Sequence, residues 1–274
     1  MKNEKNSIQE YAKIIANAVN GTVIEVKKPN KVLTGIRLNN ENRISPVYYV
    51  NEAFEKNIPV ESVIDECQNF LTHYGKAPFD VDLLKKIEIF DDVKDHIVAR
   101  IVNRALNEHL RKNAPFHDVM GDLTVFYYVI INNPEFDGNY SIFVNNDILS
   151  LWNITEDELF KVAQDNAVLH AELKRMSDVM PFFSGPELFT ILTNDTAMYG
   201  AASILAVKEL KNLQGAENVY LIPSSVHEWL ILSNSDNAFG YDATSGLIQS
   251  VNSEALRPED FLSDHPYRLS DIDF

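Results

Sequence analysis

One stretch of the chain, residues 187–233, constrains the fold more than any other. Its sequence is ELFTILTNDTAMYGAASILAVKELKNLQGAENVYLIPSSVHEWLILS, which contains the longest apolar runs of the second half. The pattern predicts, in order, a strand, a turn, a helix, a second strand, a tight corner and a third strand. We therefore expect this stretch to form the structural centre of the fold.

The sequence pattern of residues 1–78 predicts a small N-terminal α/β module. Ser7 and Glu10 have the spacing of a capping box, and apolar residues at helical spacing follow them. Strands are predicted at residues 22–26, 32–38 and 45–50, and helices at residues 51–56 and 60–73. Cys67 falls on the apolar side of the last helix, which favours a small core residue over a nucleophile. Residues 74–78 are the expected domain boundary.

The sequence pattern of residues 79–274 predicts a larger domain. A helix is predicted at residues 80–88, and a longer helical or partly extended element at residues 91–110 carries Arg100 and Arg104 one turn apart. Such a basic stripe is more typical of a solvated or salt-bridged face than of a nucleic-acid site. Further strands are predicted at residues 123–131, 140–144 and 267–269, and further helices at residues 148–152, 155–166 and 244–254, whereas residues 167–186 match no pattern. The fold class is therefore α+β, with a mixed β-sheet core, flanking helices and the small N-terminal α/β module.

Charge is divided unevenly along the chain, whose net charge is −16. Residues 1–112 contain 16 acidic and 17 basic residues, whereas residues 113–274 contain 24 acidic and 7 basic residues. An acidic second half repels phosphate backbones, so direct nucleic-acid binding through it is not expected. The acidity either serves solubility, or forms a face that binds a basic protein partner or mimics a nucleic-acid backbone.

The most site-like residues lie at the corner formed by residues 223–228, between two predicted strands. Ser224 or Ser225 with His227, and Asp264 brought in by tertiary structure, would form a hydrolase site. However, neighbouring residues of a strand point to opposite faces, so their spacing alone does not create a serine–histidine hydrogen bond. The alternative role of these residues is turn capping and strand registration.

Known cofactor and metal motifs do not occur in the sequence. It has no P-loop, dinucleotide glycine fingerprint, zinc-type cysteine pair or nucleophile elbow, so no cofactor and no metal is expected. Residues 133–144 faintly resemble a calcium loop, but Val144 stands where a bidentate glutamate is needed, which favours a hairpin turn. With one cysteine, no signal-peptide pattern and no apolar run of about 18 residues, we expect a cytoplasmic protein without a membrane span.

At LTNDTAMYGAAS, IPSSVHE and FLSDHPYR the chain resembles an uncharacterised domain-of-unknown-function family of anaerobic Gram-positive bacteria, often encoded on mobile elements. The stretches ISPVYYVNEAF, IVNRALNEHL and NITEDELFKVAQDNA fit the same family, so the resemblance covers nearly the full length. The central half is more remotely similar to the YtpQ-like family, in which an Arg-Asp pair usually occupies the place of Val226, His227 and Glu228. Neither family has a known activity, so the resemblance implies no catalytic residue.

These observations favour a non-enzymatic interaction or regulatory protein, associated with a mobile element or with host–element conflict. Its acidic second half would bind a basic protein partner through salt-sensitive contacts. Two alternatives remain open: a hydrolase that uses Ser224 or Ser225 with His227 and Asp264, and a mimic of nucleic acid. The oligomeric state, the partner and any substrate are not specified by the sequence.

Overall fold

The computed structural model describes residues 7–39, 45–74, 85–132, 139–179, 182, 188–214, 219–233 and 240–272. The chain divides into two compact units, Met1–Lys85 and Lys86–Phe274. The boundary expected at residues 74–78 falls almost wholly outside the described residues, so the predicted domain limits stay a prediction. The α+β class is confirmed, and every described strand pair is antiparallel.

The first unit contains a three-stranded sheet and three described helices. Its elements are α1 (Ile8–Ala18), β1 (Gly21–Lys28), β2 (Lys31–Leu38), β3 (Val47–Tyr49), α2 (Asn51–Glu55) and α3 (Val60–Tyr74), with the strands in the order β1-β2-β3. Both hydrogen bonds of the predicted capping box between Ser7 and Glu10 are present. Cys67 is buried in the core, as predicted, and burial, followed by the nearby Glu66 charge, raises the pKa of its thiol to about 11.

The second unit begins with a four-stranded sheet built around one long strand. Its elements are α4 (Phe90–Val93), β4 (Ile97–Asn103), α5 (Glu108–Arg111), β5 (His117–Asp118), β6 (Leu123–Asn132) and β7 (Asn139–Phe143), and β4, β5 and β7 all pair with β6. The strands predicted at residues 123–131 and 140–144 are confirmed, while the turn between them, with the calcium-like residues 133–138, lies outside the described residues.

Strand β4 decides the alternative left open for residues 91–110, a longer helical or partly extended element: its centre is extended. Only short helical turns precede and follow the strand. Residues of β4 alternate between buried and half-buried positions from Ile97 to Arg100, which is the two-residue period of a strand. Its β-branched valines and isoleucines favour a pleated surface over a helix. Arg100 and Arg104 therefore do not share a helix face.

A five-stranded sheet forms the remainder of the second unit. The elements are α6 (Asn146–Trp152), α7 (Glu156–His170), β8 (Ala171–Arg175), α8 (Met176–Val179), β9 (Phe189–Asn194), α9 (Val207–Gln214), β10 (Val219–Ser225), β11 (Glu228–Ser233), α10 (Tyr241–Glu254) and β12 (Tyr267–Arg268). The strand order is β12-β10-β11-β9-β8. The predicted course of residues 187–233 is confirmed wherever those residues are described, whereas β8 falls in the stretch that matched no pattern.

A buried 3-10 segment, Gly200–Ala206, lies between the two sheets of the second unit and contacts β4, β9 and α7. The indole Nε1 of Trp229, which is fully buried, donates to the carbonyl of Ala201 at 2.7 Å. A Cβ added to Gly200 would overlap Thr193 Oγ1 and lie 2.6 Å from the carbonyl oxygen of His227. Only glycine fits this close approach of two backbone segments.

Among the described residues, no helix combines the length and the apolar character needed to cross a membrane.

Candidate functional site

A cavity of about 430 Å³ lies in the second unit between β4, α7 and the turn that follows β9. Its wall is mixed: Val98, Ile130 and Ala202 contribute apolar groups, and the charged and polar side chains described below contribute the rest. Pockets for small molecules commonly combine a volume of about 300–1,000 Å³ with an apolar wall and few polar groups. The cavity has the size of such a pocket, while most of its lining residues are polar or charged.

Arg100 projects from β4 and is held between two aromatic rings. Its guanidinium carbon lies 3.8 Å from the ring centroid of Tyr128 and 3.7 Å from that of Tyr199. One terminal nitrogen, Nη2, donates to Ser141 Oγ at 2.8 Å. The buried Nε has no hydrogen-bond partner, and Arg100 forms no ion pair, among the residues that the structure describes. The guanidinium is thus oriented by stacking rather than by a carboxylate.

The Tyr128 ring keeps its hydroxyl group protonated where it flanks the guanidinium. Burial raises the pKa of the Tyr128 phenol to about 12, although the Arg100 charge acts in the opposite direction. Tyr128 is therefore a neutral ring at physiological pH, and its π face attracts the cation.

Tyr199 has a backbone conformation that is unusual for a large side chain. Its φ is 54° and its ψ 30°, in the left-handed region. Such a residue costs about 1–3 kcal/mol and persists only when its surroundings hold it in place. Here the Tyr199 N–H donates to His227 Nδ1 at 3.0 Å, and the two rings lie 5.3 Å apart. The strained backbone places the Tyr199 ring against Arg100.

The sequence-predicted residues Ser224, Ser225 and His227 lie at the β10–β11 corner. Ser225 Oγ accepts from the His227 backbone N–H at 3.0 Å, and Ser224 Oγ donates to Glu228 Oε1 at 3.2 Å. His227 Nδ1 accepts from Tyr199, and its Nε2 lies 3.3 Å from Asp260 Oδ1. Both nitrogens of the ring are therefore engaged, and neither serine hydroxyl hydrogen-bonds to it. The structure brings these residues together as turn and strand contacts, with His227 supporting Tyr199.

Asp264 belongs to a different polar cluster. Its Oδ1 lies 2.9 Å from His265 Nδ1, which is 3.2 Å from Ser263 Oγ. Ser263 is fully buried and also donates to Asp122, which accepts from the Tyr267 hydroxyl as well. A buried serine hydroxyl in such a network has no access to a substrate. No spacing in the sequence indicates that Asp122 joins this C-terminal segment.

A histidine–carboxylate pair lies at the exposed side of the cavity. His170 Nδ1 is 2.9 Å from Asp195 Oδ2, and the two side chains are 54% and 48% exposed. Ala171 of β8 pairs with Asn194 of β9. The residues next to them, His170 and Asp195, therefore lie opposite each other. Asn166 fixes the neighbouring wall, since its Nδ2 donates to the carbonyl of Ile97 at 2.8 Å. Sequence analysis did not identify this pair.

Within the described ranges, no group of three or more His, Cys, Asp or Glu side chains has the arrangement of a metal site.

Comparison with known proteins gives a family but no activity. The model of a family described as a family of unknown function (DUF5688) matches residues 1–270. No curated protein and no solved structure matches the chain. The resemblance to a family of unknown function over nearly the full length is thereby confirmed, while the bacterial source, the mobile elements and the YtpQ-like similarity stay predictions.

Proposed function

We propose a binding function for this chain, which belongs to the family of unknown function DUF5688. The ligand is a small molecule with an anionic carboxylate or phosphate group, held in the cavity by Arg100. The observation that carries this proposal is the Arg100 guanidinium, which lines the cavity, lies between Tyr128 and Tyr199 and forms no ion pair among the described residues.

The stacked rings decide how a ligand can approach Arg100. Because each face of the guanidinium is covered by a tyrosine, only the edge of the plane, which carries the N–H groups, is available. Edge-on donors in a fixed plane suit the bidentate recognition of carboxylate and phosphate oxygens. The terminal nitrogens carry the N–H groups that a ligand oxygen could reach, and one of them, Nη2, already donates to Ser141 Oγ at 2.8 Å. These features support anion binding over a purely structural stack.

A conservative substitution at Arg100 tests the anion site. Arg100→Lys keeps the charge but loses the planar fork and the stacking, so we expect the affinity for anions to fall at least about tenfold. The probes are 4-methylpentanoate, 3-phenylpropionate and phenyl phosphate, measured first by the rise in Tm and then by calorimetry. Arg268→Lys is the matched control, because Arg268 is exposed and lies outside this cavity, 5.9 Å from the Tyr220 ring. If neither these probes nor any of the twenty common amino acids stabilises the wild-type protein, the anion site is wrong.

A role in regulation through a basic protein partner is a second proposal, supported by charge. The acidic excess of residues 113–274 includes Glu156 and Asp157, which are exposed at the start of α7. At about 1 M salt the Debye length falls to about 3 Å, so contacts of this kind are expected to be lost there and kept at low salt. A pull-down from cell lysate at both salt concentrations measures this.

Two double variants that remove the same charge test whether the partner binds the acidic second half or any acidic surface of the protein. Glu156→Gln with Asp157→Asn is expected to weaken the capture of the partner, whereas Glu61→Gln with Asp65→Asn removes the same charge from the first unit and should leave capture unchanged. Equal capture by both double variants would count against the acidic surface of α7 as the contact.

The two alternatives drawn from the sequence stay predictions. A hydrolase at Ser224, Ser225, His227 and Asp264 has little geometric support, because both His227 ring nitrogens are engaged elsewhere and Asp264 contacts His265. A nucleic-acid mimic requires carboxylates spaced like phosphates along one surface. No contact described above favours either alternative over ligand binding.

A further inference from the structure

We infer that the ligand of the Arg100 cavity is a zwitterion of amino-acid size, with its carboxylate on Arg100 and its ammonium group near Asp195 and Asp95. This inference rests on the proposed anion-binding function and names the class of its ligand.

The charge of the wall selects against a ligand that is only negative. Arg100 is the one arginine or lysine among the described residues that line the cavity, while Asp95 and Asp195 both line it. A phosphate ester or a dicarboxylate would thus meet one positive and two negative charges. Since like charges at short range repel and opposite charges attract, a ligand with one charge of each sign matches this wall best.

Oxygen atoms of the Asp195 and Asp95 carboxylates are available as hydrogen-bond acceptors. Asp195 uses Oδ2 for His170 Nδ1, and its Oδ1 has no hydrogen-bond partner among the described residues. Asp95, which is exposed, forms no side-chain hydrogen bond or ion pair in the described part of the chain. An ammonium group has three donors and no acceptor, so it suits such oxygens. His170 keeps the Asp195 carboxylate in place.

The apolar part of the wall suits the side chain of an amino acid. Val98, Ile130 and Ala202 line the cavity between β4, β6 and the 3-10 segment. Burial of apolar surface is favourable, so a hydrocarbon side chain adds affinity there while the two charged ends fix its orientation.

The experiment compares molecules that differ in one charged group. The first set is L-phenylalanine, 3-phenylpropionate, which lacks the ammonium group, and 2-phenylethylamine, which lacks the carboxylate. The second set is L-leucine, 4-methylpentanoate and 3-methylbutylamine. Calorimetry on the full chain at pH 7 gives their affinities, after the twenty common amino acids have been screened by the rise in Tm. We expect at least one amino acid to bind about tenfold or more tightly than its two partial analogues.

Variants test which residue binds the carboxylate of the ligand and which binds its ammonium group. Asp195→Asn is expected to remove the preference for the amino acid over the matching carboxylate, and to leave binding of the carboxylate itself no weaker, since one repelling charge is lost. Arg100→Lys is expected to weaken both. Asp242→Asn removes an equal charge from an exposed position outside the cavity and serves as the control, and Asp95→Asn replaces Asp195→Asn if that variant does not fold.

Each outcome decides between the two proposals. If the carboxylates bind as tightly as the amino acids, or if no amino acid raises the Tm while a carboxylate does, the zwitterion is wrong and the anion site stands. If neither carboxylates nor amino acids bind, or if the amines bind most tightly, the anion site fails as well.

Discussion

Gly200→Ala is expected to lower the free energy of unfolding by about 3 kcal/mol or more. The added methyl group would overlap Thr193 Oγ1 and come within 2.6 Å of the His227 carbonyl oxygen and 2.7 Å of the Asn194 amide nitrogen. Two of these three atoms belong to the backbone, so no side-chain rotation relieves the contact. The methyl group would also separate Thr193 Oγ1 from the His227 carbonyl, to which it now donates at 2.9 Å. Urea unfolding of the purified protein measures the change.

Gly246 provides the matched control for this substitution. It lies within α10, and a Cβ added there meets nothing within 4 Å. Alanine at this position should therefore raise the stability by up to about 1 kcal/mol, since glycine is the weaker helix former. A Gly200→Ala protein that unfolds at the same urea concentration as the wild type would show that the two backbone segments do not approach as closely as described.

Asp122→Ala should cause a second loss, of about 2 kcal/mol, because it removes an acceptor that three buried groups share. The Asp122 carboxylate accepts from Asn103 Nδ2 at 2.8 Å, from Ser263 Oγ at 3.2 Å and from the Tyr267 hydroxyl. Asn103, Ser263 and Tyr267 are all less than 10% exposed. The Asp122 side chain is 34% exposed, and the three groups also contact the Leu262 carbonyl, His265 Nδ1 and Ser263 Oγ, so part of the loss is offset. A buried donor without a partner costs about 1–3 kcal/mol.

The same C-terminal segment supplies the control for Asp122. Asp264 is 60% exposed and contacts His265, so Asp264→Ala should change the stability by no more than about 0.5 kcal/mol. Thermal unfolding of both variants at one pH measures the difference. A Tm for Asp122→Ala equal to that of Asp264→Ala would mean that the carboxylate is not a common acceptor for the three groups.

Local patterns in the sequence were sufficient to predict most elements. The predicted capping box at Ser7 depends on two residues three positions apart, and it starts α1; a second capping box, at Thr155, starts α7. The strands of residues 187–233 carry long apolar runs that are typical of buried strands. By contrast, β8 has three charged residues in five and directly follows a helix without a glycine or proline between them. It forms because β9 supplies a partner, which no local pattern specifies.

The candidate site was predictable only in part, because its contacts join distant parts of the chain. Arg100 was interpreted as part of a solvated basic stripe, since Arg104 follows at helical spacing. A charged residue among Ile97, Val98, Ala99 and Ile101 in a strand-like run was the available indication of a special position. Tyr128 and Tyr199 reach it through strand pairing and through a left-handed turn, and neither is visible in one sequence. The polar corner at His227 lies between β10 and β11, where the strand pattern predicts a tight corner, and the His227 ring contacts Tyr199 and Asp260.

The edge strands of the five-stranded sheet affect how readily the protein associates with itself at high concentration. The open edge of a sheet is a template on which another chain can add a strand, and from which fibrils can grow. Here β12 is only two residues long, and β8 carries Glu172 and Lys174, whose charged groups pair at 2.8 Å. A short strand at one edge and charged side chains at the other are features that discourage such growth. Because β12 and β8 are the edge strands of this sheet, both of its edges are poorly suited to pairing with another chain.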